Sequence, residues 1–442
     1  MKIRSVNAHQ VFDSRGNPTI EAVMELEDGT TGRGLVPSGA STGRHEALEL
    51  RDGDPRRFLG RSVYRAIEHV EGEIARAVAG LDVFDQEHLD SRLIALDGTP
   101  DKSRLGANAI LSVSMAAAQA AAAARREPLF VWLGKGQGRL LPLPEIQIFG
   151  GGKHAHGRID VQDFMIMALA ARSYAETLEV AFNVYHAAGE AMRRRGLLAG
   201  VADEGGYWPM FESNEQVFDL LLEAIERAGY APGRDVGISL DIAATDLFRE
   251  GSYFLGLERR RFTSEEFSAL MISWVEKYPI VSIEDPVAED DWDGWKRMRA
   301  AIGHRCQLVG DDLFTTNPAR IARGIQAGAA NAVLIKLNQI GTVTETLRAA
   351  AQTQAAGWLP VVSARSGETE DVFIAHLAVG ANAGQLKVGS FTRSERMAKW
   401  NEVLRIERRL GDAARFIGAG LFAQAGIALP MVPSSAVPEV KR

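Results

Sequence analysis

Six short apolar runs recur between residues 236 and 390: "VGISLD", "PIVSIED", "CQLVGDD", "NAVLIK", "WLPVVSA" and "GQLKVGS". Each gives way to a polar cluster and then to a helical pattern. Continuous apolar runs of this length suit strands buried on both faces, and their alternation with helices predicts a parallel sheet covered by helices. Six or more such units in about 290 residues, with no Gly-rich dinucleotide turn among them, favour a closed β/α barrel over an open doubly wound sheet.

The first forty residues have a different rhythm. "PTIEAVMELEDGTTGRGLVP" alternates apolar and polar positions around a turn, and with the opening strand it predicts a small antiparallel meander. From Pro55 to Arg126 the pattern is helical and ends in an Ala-rich helix. "LGKGQGRLLPLP" (Leu133 to Pro144) then reads as a linker. Its glycine spacing carries no nucleotide-loop meaning, because Pro142 and Pro144 follow and no helix begins there. The expected organisation is an α+β domain at 1–137, a β/α barrel at 143–430 and a loose Pro- and Ser-rich tail at 431–442.

Composition removes several classes of function. The balance of 50 basic against 57 acidic residues, net −7, argues against a nucleic-acid or anionic-membrane partner. Two arginine runs, at 193–195 and 259–261, lack interleaved aromatics and read as solvated faces. The single cysteine, Cys306, sits in "CQLVG" as a small buried hydrophobe and fits a reducing compartment. The N-terminus has no apolar segment of signal-peptide type, and "AAAQAAAAA" reads as a buried helix and not a membrane span. A cytoplasmic location is expected.

Charges fall at particular places on the predicted strands. Asp241 ends "GISLD", Glu284 ends "VSIE", Asp311 follows "QLVG" and Lys336 ends "AVLIK". A lone carboxylate at such a point reads equally well as a helix N-cap. Three carboxylates and a lysine on four successive strands lie where barrel enzymes keep their chemistry. Converging carboxylates need a cation, and an all-oxygen donor set suits Mg²⁺. A lysine beside a metal ion has its ammonium form disfavoured and becomes a base. A Lys base with one or two Mg²⁺ ions is the arrangement of enolase-superfamily sites. "VVSARSGETEDV" (361–372) adds Arg365 and Ser366 at a strand end, a candidate anion site.

The chain resembles the enolase family (phosphopyruvate hydratases) along nearly its whole length. The resemblance runs from "DSRGNPT" through "VPSGASTGRHEALELRDGD", "GGKHA", "ADEGG", "YPIVSIEDPVAEDDW", "VGDDLFTTNP", "LIKLNQIGTVTET" and "SGETED" to "RSERMAKWNEVLRIE". It implies an N-terminal α+β domain beside a β/α barrel whose first units are irregular. It also implies interconversion of 2-phosphoglycerate and phosphoenolpyruvate, two Mg²⁺, and a homodimer or larger homo-oligomer. Position by position it assigns Asp241, Glu284 and Asp311 to the first metal and Lys336 to C2 proton abstraction. Glu204 becomes the acid for the departing hydroxyl, Lys399 a holder of the substrate carboxylate, and Arg365 and Ser366 the phosphate grip. Ser38 would help bind the second metal, His154 belongs to a closing loop over the substrate, and Gln162 lies beside the metal.

Departures from the family pattern gather on the leaving-group side. Asp163 stands where Glu is expected, Ala364 where His is expected, and Gln147 and Gly150 where Asn is usual. A shorter Asp163 remains a candidate catalytic carboxylate. The departures also admit a related phosphorylated or phosphonate carboxylate as substrate, of the carboxyphosphonoenolpyruvate type. A non-catalytic binding role would call for a broken metal site or a lost base, and those residues are all present.

Overall fold

The computed structural model describes residues 1–40 and 42–429; the tail expected at 431–442 lies outside them. Strands β1 (Ile3–Phe12), β2 (Pro18–Leu26) and β3 (Thr31–Leu35) form the anticipated antiparallel meander in the order β1-β2-β3. Its first turn is held by Asp13, whose Oδ1 accepts the N–H groups of Arg15 at 2.9 Å and Asn17 at 2.8 Å, while Gly16 takes φ +73°. This is the local carboxylate-to-backbone bonding for which Asp favours turns.

The Ala-rich segment forms the helix Ala107–Ala124, buried against β2 and β3. It is long and apolar enough to cross a membrane, but most of it is buried inside the fold, as in the core helix of a soluble protein. Close approach explains its composition. A Cβ on Gly34 would lie 1.9 Å from the Ser112 carbonyl oxygen, and one on Gly32 would lie 2.3 Å from that of Ala116.

Eight strands close into a barrel, in the order β4 (Leu143–Gly150), β5 (Asp163–Ala168), β6 (Val236–Asp241), β10 (Ile280–Glu284), β11 (Gln307–Gly310), β12 (Ala332–Ile335), β13 (Leu359–Ser363) and β14 (Gln385–Ser390). All six apolar runs are among them. The first units are irregular, as the resemblance implied: β5 runs antiparallel to both β4 and β6. From β6 onward the recorded pairings are parallel. Between β6 and β10 the chain adds a small antiparallel sheet, β7 (Phe248–Arg249), β8 (Ser252–Leu255) and β9 (Arg260–Phe262), which places the second arginine run on an exposed hairpin.

Contacts group the residues into two compact units. One comprises Met1–Pro142, Gly310–Gln326 and Ala332–Arg415. The other comprises Leu143–Val309, Ala327–Asn331 and the described residues from Phe416. The second has an aromatic core in which Phe218 stacks on Tyr278 and meets Phe164 and Trp274 edge-on.

The glycines of β3 yield a stability prediction. Gly34→Ala is expected to destabilise the protein by about 1–3 kcal/mol or more through overpacking against the Ser112 carbonyl. Gly72→Ala, in a helical segment with nothing within 4 Å of the added carbon, is expected to be neutral or to stabilise by up to about 1 kcal/mol. Urea midpoints of the two variants check this contrast.

Candidate active site

Register on neighbouring strands lines up three buried carboxylates. Asp163 on β5 is the partner of Asp241 on β6, and Asp241 is the partner of Glu284 on β10. Asp241 Oδ2 accepts from Gln162 Nε2 at 2.8 Å and Oδ1 from the Ala243 N–H at 2.9 Å. The second bond depends on a left-handed turn at Ala243, φ +47°. Beside this row, His154 Nδ1 lies 3.8 Å from Glu204 Oε1 and 3.9 Å from Asp163 Oδ1, with all three residues buried. His154 is carried by the turn after β4 and Glu204 by the loop "ADEGG".

In the other unit, Lys336 Nζ sits 2.5 Å from Asp311 Oδ2. Gln339 Nε2 donates to the second oxygen of Asp311 at 2.7 Å, and its Oε1 accepts from the Thr316 hydroxyl at 2.7 Å. The same hydroxyl oxygen receives the Lys336 N–H at 2.9 Å. Gln339 also reaches Glu46 at 3.3 Å, and Glu46 pairs with Arg365 at 2.9 Å. Asn338 accepts from Arg365 Nη1 at 2.8 Å. One continuous network therefore joins the lysine at the end of β12 to the arginine at the end of β13. Burial alone would lower the Arg365 guanidinium, but the Glu46 charge, with smaller effects from Asp311 and Glu49, shifts it upward on balance.

Ser366 follows Arg365, and its hydroxyl oxygen accepts the Ala40 N–H at 2.7 Å. Lys399 Nζ pairs with Glu368 Oε2 at 2.9 Å and donates to the Thr369 carbonyl. Ser38 is bridged to Gly367 by two backbone bonds of 2.8 Å, and its hydroxyl donates to Glu49 at 3.0 Å.

These placements fall within two family matches. Residues 3–133 match the family described as "Enolase, N-terminal domain", and residues 138–425 match "Enolase, C-terminal TIM barrel domain". The chain is 54% identical over 429 residues to "Enolase 1" of Desulfitobacterium hafniense (strain Y51), covering 96% of this chain and 98% of that protein. It is 52% identical over 420 residues to "Enolase" of Acidothermus cellulolyticus (strain ATCC 43068 / DSM 8971 / 11B), covering 95% and 97%. The chain belongs to the enolase family.

It is thus an enolase-family lyase, and family membership implies a divalent metal. The donor chemistry fits one. Asp241 and Glu284 are adjacent, almost wholly buried oxygen donors on paired strands, and Asp311 follows the end of β11. Several residues that shape the enolase-type site were not singled out by sequence reasoning. Arg396 is wholly buried and donates to the Arg365 and Ser366 carbonyl oxygens at 2.6 Å each, which pins the backbone after β13. Glu46 and Gln339 lie inside quoted family blocks, yet nothing local to them marks them as partners of Arg365 and Asp311. Gln339 is wholly buried and Glu46 partly so, which only the fold reveals.

The acidic end of "SGETED" gives a pH prediction. Burial pushes the Asp371 carboxyl up to about 6, against the lowering supplied by the Phe373 N–H and the Lys399 charge. The folded value lies above the unfolded one, near 3.9, so the folded chain holds this proton more tightly. Its contribution to stability falls as pH rises from about 4 towards 6, then stays at the lower level. Asp371→Asn removes the titration and keeps an acceptor for Phe373. Its stability relative to wild type is expected to rise between pH 4 and pH values above 6, read from urea midpoints at the two pH values.

Proposed function

We propose that the chain interconverts 2-phosphoglycerate and phosphoenolpyruvate, with Lys336 removing the C2 proton. The observation that supports this most directly is the 2.5 Å contact between Lys336 Nζ and Asp311, a base candidate against a metal-ligand candidate at successive strand ends. Two Mg²⁺ ions, the first held by Asp241, Glu284 and Asp311 and the second with help from Ser38, would supply positive charge beside the substrate carboxylate and disfavour the ammonium form of Lys336.

The remaining roles belong to the chain's own side chains. Lys336 Nζ takes the proton α to the carboxylate. Glu204 gives a proton to the departing β-hydroxyl, with Asp163 and His154 lining the same side. Arg365 and Ser366 hold the phosphate, for which a guanidinium fork is suited. Glu46 pairs with that guanidinium at 2.9 Å, so phosphate binding would exchange one anion for another. Lys399 serves the substrate carboxylate, and Gln162 orients Asp241. Ser38 serves a second ion only by turning its hydroxyl from Glu49. An α+β domain at 1–137, a β/α barrel at 143–430 and a homo-oligomeric assembly, dimer or larger, are part of the same reading.

A second reading is favoured by Ala364, a buried methyl directly before Arg365, together with the short Asp163. Loss of an imidazole leaves room for a larger β-substituent, as in a carboxyphosphonoenolpyruvate-type reaction. Absorbance at the enol product with 2-phosphoglycerate and Mg²⁺ separates the readings. Turnover by wild type supports the first; turnover confined to Ala364→His/Asp163→Glu supports the second. Lys336→Ala is expected to lower C2 hydrogen exchange by ~10²–10⁴-fold. Undiminished exchange in that variant would remove Lys336 as the base.

A further inference from the structure

We propose that Gln147 is a positioning residue for the leaving-group side: its one side-chain amide fixes the Asp163 carboxylate relative to the turn that carries Glu204. The inference rests on reading Asp163 and Glu204 as groups of that side.

Gln147 lies on β4 and is wholly buried. Its Oε1 accepts the Gly206 N–H at 2.8 Å, and its Nε2 donates to Asp163 Oδ1. The Gly206 N–H can only donate, so it sets the amide's orientation and turns the NH₂ group towards Asp163. Asp163 is thereby held as an acceptor. A carboxylate at 147 could not donate to Asp163 while ionised, and an apolar side chain could satisfy neither partner.

The surroundings are shaped around this amide. A Cβ on Gly206 would lie 2.5 Å from Gln147 Oε1. A Cβ on Gly150 would lie 2.6 Å from the Ala202 Cβ and 3.2 Å from Gln147 Nε2. Neither glycine has a positive φ, so neither is required by backbone conformation. What they provide is space, and Gln147 occupies it. Glu204 sits two residues before Gly206, and His154 lies within 4 Å of both Glu204 and Asp163. Moving the amide would therefore shift the two carboxylates against each other and against the imidazole between them.

Side-chain length makes the inference testable. Gln147→Asn withdraws the amide by one methylene, and Asp163→Glu extends the carboxylate by one. Each single variant opens or crowds the Gln147–Asp163 bond, whereas the double variant returns the summed length to that of wild type. C2 hydrogen exchange in 2-phosphoglycerate reads proton abstraction, and phosphoenolpyruvate formation reads elimination. Gln147→Asn is expected to lower elimination by ~10²-fold, the usual consequence of a misplacement of about an ångström, with exchange little changed. Adding Asp163→Glu is expected to recover most of the loss.

An equal fall in exchange and elimination, no fall in elimination, or a double variant no better than Gln147→Asn would each overturn the proposal. A crystal structure of Gln147→Asn supplies a readout independent of substrate. Displacement of the Asp163 carboxylate relative to residues 204–206 supports the positioning role, and unchanged positions overturn it. Failure of the substrate reading is a separate result: it shows as absent exchange and absent elimination in the wild type.

Discussion

Burying several carboxylates side by side is the constraint around which the site is built. Asp163, Asp241 and Glu284 occupy one row across three neighbouring strands. Two unit charges 4 Å apart repel by about 4 kcal/mol at an effective dielectric of 20, so such a row persists only with compensating donors. Gln162 and the Ala243 N–H serve Asp241, and Gln147 serves Asp163. These are neutral donors. They hold the oxygens in place by hydrogen bonding.

The unit containing Lys336 uses charged partners instead. Lys336 faces Asp311, Arg365 faces Glu46, and Lys399 faces Glu368. Each of these three cations is matched with an anion, so none of the three is buried alone. An isolated buried charge is far more costly than a paired one. The pairs also keep these long side chains in fixed positions. Arg396 performs the same service for the backbone at Arg365 and Ser366.

The strand ends were legible because their pattern is local: an apolar run followed by a charge. That rule found Asp241, Glu284, Asp311 and Lys336, and all four stand at or just beyond the ends of barrel strands. It did not single out β4 or β5, where Glu145, Gln147 and Asp163 interrupt or border the apolar sequence. Gln147 drew notice only as a departure from a family pattern. Its meaning appears once Gly206, nearly sixty residues later in the chain, is seen to donate to it. Likewise, Glu46 and Arg365 lie more than three hundred positions apart, beyond the reach of any spacing rule.

By itself the sequence determined the barrel class, the meander and the charged residues at the strand ends, since periodicity, turn chemistry and strand-end charges act over a few residues. The tertiary structure decided which groups become partners: Lys336 with Asp311, Arg365 with Glu46, and Gln147 with Asp163 and Gly206. The physical reason is that a hydrogen bond or ion pair depends on separation in space to within about an ångström. Chain closure sets that separation, and no local pattern encodes it.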